Sequence, residues 1–121
     1  MNFIDTHTHL DGEEFNDDRK ETMQRAREAG VSHVFIPAID LKSVETVLDT
    51  CRQYPRYAYP MLGLHPEEVR ADWSEVLDRM HEYLKPGHPF IAIGEVGLDY
   101  YWSREFEHEQ LLAFERQVEW S

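Results

Sequence analysis

Val31-Ser32-His33-Val34-Phe35-Ile36-Pro37 runs through Ala38-Ile39-Asp40 into Leu41–Cys51, and this stretch holds both periodicities that decide the fold. Residues 31–37 are rich in β-branched and aromatic side chains, which suit a pleated strand. Asp40 can accept an N–H of a first helical turn, and Leu41, Val44, Val47, Leu48 and Cys51 then share one helical face. A strand followed at once by an amphipathic helix is one βα unit.

The unit is legible on both sides of this stretch. Upstream, Asn2–Thr6 centres on Phe3 and Ile4 and reads as a buried strand. Asp17–Ala29 follows as a helix with a thin stripe of Met23, Ala26 and Ala29. Asp17 and Asp18 suit its positive end, and Gly30 stands where a helix-terminating glycine belongs. Downstream, Pro55 ends the second helix and Tyr57–Leu64 reads as a third strand. Asp72 opens a helix with Trp73, Val76, Leu77, Met80 and Leu84 on one face, closed by Lys85-Pro86-Gly87. Phe90–Glu95 is a fourth strand, and Glu105–Trp120 a last helix presenting Leu111, Phe114 and Val118.

Four such units imply a parallel sheet with helices packed outside it, because parallel neighbours need crossover connections. No linker or low-complexity tract divides the chain, so residues 1–121 read as one domain. Closed (β/α)8 barrels typically need ~250 residues, and 121 residues make about half of one. The pattern fits half a barrel and an open four-stranded α/β sheet equally.

Asp and Glu number 24 against 12 Lys and Arg, a net charge of -12. That argues against the commonest non-specific mode of nucleic-acid binding, a smear of positive charge along the phosphates. A phosphate substrate stays open if a bound divalent metal supplies the positive charge. No stretch approaches the ~18 uncharged apolar residues of a membrane span, and MNFIDTHTH lacks the regions of a signal peptide. Cys51 is alone and cannot form an intramolecular disulfide, so nothing points to an oxidising compartment and the chain reads as cytoplasmic. On the apolar stripe of its helix, Cys51 is expected to be a buried, inert thiol.

The chemistry is concentrated at strand ends. In Asp5-Thr6-His7-Thr8-His9-Leu10-Asp11, alternate residues of an extended chain point to one side, so His7 and His9 project two imidazoles together. Imidazole ligates zinc and its first-row neighbours, although two exposed histidines in a polar loop would look the same in sequence. Asp5 lies on that side too, to orient a ring or to ligate. In Ile93-Gly94-Glu95-Val96-Gly97-Leu98-Asp99-Tyr100-Tyr101, Glu95 closes the fourth strand and points to the same edge, where a carboxylate can bridge cations. Asp99 is equally a turn former. In Gly63-Leu64-His65-Pro66, His65 faces that edge as well, to hold a phosphate, shuttle a proton, or cap the segment that follows. Tyr100, Tyr101 and Trp102 can stack on a base or sugar, or plug a barrel mouth.

Taken together, Phe3–Asp11, Gly63–Pro66 and Ala92–Tyr101 resemble the TatD-like metal-dependent hydrolases in order and spacing, and Glu109–Gln117 looks like the helix that follows in that family. The resemblance covers essentially the whole chain. It implies the N-terminal half of a TIM (β/α)8 barrel of the metal-dependent hydrolase type. It also implies phosphodiester hydrolysis, typically as a DNase with 3′–5′ exonuclease activity, through metal-activated water. His7 and His9 would bind one metal and Glu95 would bridge to a second. The ions would be Mg2+, Mn2+ or Zn2+, two per complete site. His65 would act at the substrate phosphate, Tyr100 would contact the substrate, and the partner would be DNA or another phosphodiester. The family's remaining ligands, two histidines and an aspartate, fall beyond residue 121, so the chain reads as a truncated portion with doubtful activity alone. Its open strand edges then invite self-association. Two other readings stand beside this one: a non-catalytic fragment acting by assembly, and another amidohydrolase-type barrel cleaving amides or lactones. The Gly94–Tyr100 run favours the TatD-like reading over the last.

Overall fold

The computed structural model describes residues 1–121. Its elements are β1 (Phe3–Asp5), α1 (Arg19–Glu28), β2 (Val31–Pro37), α2 (Leu41–Gln53), β3 (Ala58–Leu62), α3 (Trp73–His81), β4 (Ala92–Ile93) and α4 (Glu107–Trp120). Single 3-10 turns lie at Glu13–Phe15 and Pro66–Glu68. The strands form one parallel sheet in the order β1-β2-β3-β4, so each βα unit adds its strand beside the previous one.

Helices cover one face of this sheet. Val34, Ile36, Ala58 and Leu62 point to that face and are at most 4% exposed. They pack with Met23 of α1, Val44 and Val47 of α2, Leu77 and Met80 of α3, and Ala113 of α4. The alternate residues Phe35, Tyr59 and Met61 are only half-buried. The Tyr59 ring lies 5.7 Å from His33 and 6.2 Å from Phe35. A doubly wound sheet would bury both faces under helices. One-sided covering and sequential strand order make this sheet the curled wall of half a barrel.

Local signals are realised as expected in the second unit. The Asp40 carboxylate accepts the Ser43 N–H at 2.8 Å, and the Ser43 hydroxyl accepts the Asp40 N–H at 3.0 Å, a reciprocal capping box. Gly30 ends α1 at φ 97°, a left-handed conformation that disfavours any side chain.

Four expectations are corrected. Phe3 and Ile4, read as buried, are each 52% exposed, because β1 is an edge strand with β2 as its one neighbour. The fourth strand, read as residues 90–95, keeps only a two-residue ladder, Met61 with Ala92 and Leu62 with Ile93. Beyond it Gly94 still donates to the Leu62 carbonyl (2.8 Å), but Glu95 crosses over and donates to the Ala38 carbonyl (3.2 Å). α1 starts at Arg19 rather than Asp17. The Arg19 guanidinium reaches the carbonyls of Leu10, Asp11 and Gly12 at 2.6, 3.2 and 2.9 Å and ties the helix start to the preceding loop. α4, finally, does not bury Leu111 and Val118, which are 41% and 51% exposed. Its inner face is Gln110, Ala113 and Gln117, flanked by Phe106 and Trp120. The two glutamines are tolerated inside because main-chain groups satisfy their amides.

Candidate metal centre

The three motifs meet at the carboxyl end of the sheet because each is tied to the segment that leaves β2. Thr8 donates to the Phe35 carbonyl (3.1 Å), Glu95 to that of Ala38 (3.2 Å) and His65 to that of Ile39 (2.8 Å). Residues 35–39 thus act as a rail, and three loops distant in sequence are registered against it by their backbones.

On this rail the side chains converge. His7 Nε2 lies 3.2 Å from His9 Nε2, and Glu95 Oε2 is 3.1 Å from the first and 3.6 Å from the second. The two rings stand edge to face with centroids 5.0 Å apart. The three ligand atoms lie within 4.8 Å of one another. Each of these atoms carries a lone pair unless protonated, and facing lone pairs repel. A divalent cation among them would convert that repulsion into coordination. Two imidazole nitrogens with a carboxylate oxygen form a donor set suited to zinc, manganese and similar ions.

Glu95 uses its two oxygens differently. Oε2 faces the histidine pair, while Oε1 lies 3.2 Å from His65 Nε2. His65 in turn has both ring nitrogens engaged, since its Nδ1 accepts the Glu67 N–H at 3.0 Å. That acceptor role leaves the proton of the neutral ring on Nε2, pointed at Glu95. A capping role and a place beside Glu95 are therefore compatible: Nδ1 caps the Pro66–Glu68 turn while Nε2 faces Glu95.

Other expected residues fall elsewhere. Asp5 does not orient an imidazole; its carboxylate accepts the backbone N–H of His7 at 3.1 Å and shapes the turn that presents the pair. Asp99 is likewise a turn former, accepting the Tyr101 N–H at 3.0 Å. Tyr100 is not among the residues that line the cleft beside Glu95, and the Arg104 guanidinium sits 4.8 Å over its ring. Tyr101 and Trp102 are exposed and meet edge to face at 4.7 Å. Cys51 is half-buried, and desolvation pushes its thiol up to about 12, with the Asp11 charge adding to the effect.

The open cleft beside the cluster measures about 460 Å3 and includes His9, His65 and Glu95 in its wall. The rest of the wall is acidic, with Asp11, Glu13, Glu14, Asp40, Glu67 and Glu68 against one lysine, Lys42. Such a wall repels a bare phosphodiester and concentrates cations.

Sequence reasoning missed the groups that hold the site together. The carbonyls of Phe35, Ala38 and Ile39 carry no side-chain signature. Arg19 did leave a signal, a cation in a first helical turn where the dipole disfavours it. Gln110 and Gln117 left another, polar residues spaced with Phe106, Ala113 and Trp120 on one face.

Residues 4–121 match the sequence profile of the TatD related DNase family. The uncharacterized metal-dependent hydrolase YjjV of Escherichia coli is 36% identical over 118 residues, covering 94% of this chain and 44% of that protein. The 3'-5' ssDNA/RNA exonuclease TatD of Erwinia tasmaniensis is 32% identical over 115 residues, covering 95% and 44% respectively. The crystal structure of the E. coli TatD homologue YjjV superposes with a TM-score of 0.78 at 33% identity, covering 97% of this chain and 45% of that one. The chain thus spans a little under half the length of these relatives. A profile match across nearly every residue, together with a solved relative of the same fold, places this half-barrel in the TatD related DNase family.

Proposed function

We propose that the chain carries the metal-binding portion of a metal-dependent phosphodiesterase site, with single-stranded nucleic acid as the substrate class. The observation that supports it best is the convergence of His7, His9 and Glu95 from sequence-distant loops onto one point. Divalent ions held there would polarise a phosphoryl oxygen and lower the pKa of a water, which is how such sites hydrolyse phosphodiesters near neutral pH. His7 and His9 would hold the first ion, and Glu95 would serve as the carboxylate shared with a second. His65 keeps Glu95 oriented through its Nε2–H and sits on the side from which the substrate phosphate would approach. The exposed Tyr101 and Trp102 would give a base or sugar something to stack on, with Tyr100 and its Arg104 beside them. The acidic wall fits this division of labour, since cations and not side chains would bring the phosphate in. The name of the Erwinia relative supports single-stranded DNA or RNA as substrate. No helix is long and apolar enough to cross a membrane.

The test is Mn2+ titration of the chain by electron paramagnetic resonance, with Glu95→Ala beside it. Losing a group that merely braces a metal ligand costs 10–100-fold in affinity, so losing Glu95 itself should cost at least about 100-fold. Equal binding by the two proteins overturns the reading. In a chain with measurable nuclease activity, a chelator should abolish it.

A second reading, assembly with another copy, is favoured by the bare sheet edges, where Phe3 and Ile4 of β1 and Ile91 just before β4 are 45–52% exposed. Light scattering over a concentration series would then find a dimer, and a monomer throughout would refute it.

A further inference from the structure

Gln117 is 1% exposed and sits in the last turn of α4 on its buried face, where an aliphatic side chain would be the ordinary choice. Its amide is fully employed. Oε1 accepts the Leu64 N–H at 2.7 Å, while Nε2 donates to the Ala113 carbonyl at 3.2 Å and reaches the Leu64 carbonyl at 3.5 Å. The two Leu64 groups are ones that the sheet leaves unpaired, because the β3–β4 ladder ends at Leu62. The next residue, His65, is held from the opposite side by its own N–H on the Ile39 carbonyl. Backbone at 64–65 is therefore clamped between α4 and the β2 rail, and from that clamp the His65 ring reaches Glu95.

We propose that Gln117 is a positioning residue for the metal centre: it sets the height of the Leu64–His65 peptide and thereby holds His65 Nε2 against Glu95 Oε1. Gln110, two helical turns earlier on the same face, plays the matching part for the loop after Glu95. Its Oε1 accepts the Asp99 N–H at 2.8 Å and its Nε2 donates to the Asp99 carbonyl at 2.9 Å. α4 thus acts as a ruler. Two glutamines seven residues apart, about 10.5 Å along the axis, fix the spacing of the His65 and Glu95 loops. The inference rests on the reading of Glu95 and His65 as site residues.

The discriminating variant is Gln117→Met, which keeps the volume and removes the amide. Three quantities are read: the urea midpoint, Mn2+ affinity, and the ring 15N shifts of His65 at one fixed pH, which report the Nε2–H form. Val47→Ala, fully buried on α2 away from the site, supplies a destabilised control. Gln117→Met should lose about tenfold or more in Mn2+ affinity and mix the His65 tautomers, whereas Val47→Ala leaves both at wild type. Gln117→Glu retains an acceptor for Leu64 and should restore most of each. Should Gln117→Met not fold, Gln117→Asn carries the same comparison, its amide one methylene too short. A folded Gln117 variant with wild-type shifts and affinity overturns the proposal, as does a Val47→Ala protein equally perturbed in both. A wild-type chain that binds no Mn2+ sinks the metal reading instead, and the His65 shifts then still decide the role of Gln117.

Discussion

Gly63→Ala probes how tightly the site depends on strand spacing. A methyl group at Gly63 would lie 2.6 Å from the Gly94 carbonyl carbon and 2.8 Å from both the Glu95 nitrogen and the Gly94 oxygen. Every one of these atoms is backbone, so no flexible side chain can yield. Carbon atoms at their optimum stand about 3.5–4.0 Å apart, so reaching that optimum requires residues 94–95 to retreat by at least roughly 0.9 Å. Overpacking of this kind costs about 1–3 kcal/mol. The alanine restricts the unfolded chain and returns about 0.4–1 kcal/mol. The net loss of stability is small enough for the protein to stay folded. The site has less tolerance, because functional groups must be held within about 0.5 Å of their working positions. The His65–Glu95 contact of 3.2 Å would open beyond hydrogen-bonding distance. Urea denaturation should therefore show a modest shift of midpoint, while Mn2+ titration shows a loss of tenfold or more. A folded Gly63→Ala protein with unchanged Mn2+ affinity would refute the argument that this close approach sets the position of Glu95.

Two other outcomes follow from local features. Asp40→Ala removes the acceptor half of the capping box and should cost about 0.5–2 kcal/mol in urea denaturation; an unchanged midpoint would show that Ser43 caps α2 alone. Cys51, raised to about 12, keeps its proton where an unfolded thiol near 9 loses it. Unfolding then releases a proton between about pH 9 and 12, so stability is unaffected below that window and falls as pH rises through it. The slope stays under about 1.4 kcal/mol per pH unit, trimmed by solvent because the thiol is only partly buried. Tyr57 and Tyr83 are shifted upward too, the first chiefly by burial and the second by its hydrogen bond to Glu45, so the Cys51 share is read as the difference from Cys51→Ala. Identical alkaline slopes for the two proteins would refute it.

The legible parts of this molecule were those that a few neighbouring residues decide. Apolar spacing marks the second unit and α3, Asp40 and Gly30 mark real ends, and the alternation of His7 and His9 puts two imidazoles on one side of the chain. The boundaries that moved, at β4 and α1, moved because hydrogen bonds to distant groups took over: Glu95 to Ala38, and Arg19 to the loop at residues 10–12. The reading of α4 failed for a related reason. Leu111, Phe114 and Val118 make a plausible stripe in isolation, but a helix buries whichever face can satisfy what it meets. Here it meets the unpaired backbone of Leu64 and Asp99.

Periodicity, turn chemistry and the gathering of His and Glu at strand ends are local properties, readable within a few residues of chain. Tertiary structure alone decided that the sheet is covered on one face, that β1 lies bare, and that His65 divides its two nitrogens between a cap and a carboxylate. It also decided that two buried amides pair with the backbone of the loops that bear His65 and Glu95. Burial and hydrogen-bond satisfaction depend on partners as much as 53 residues apart along the chain, and no window of sequence contains both ends of such a contact.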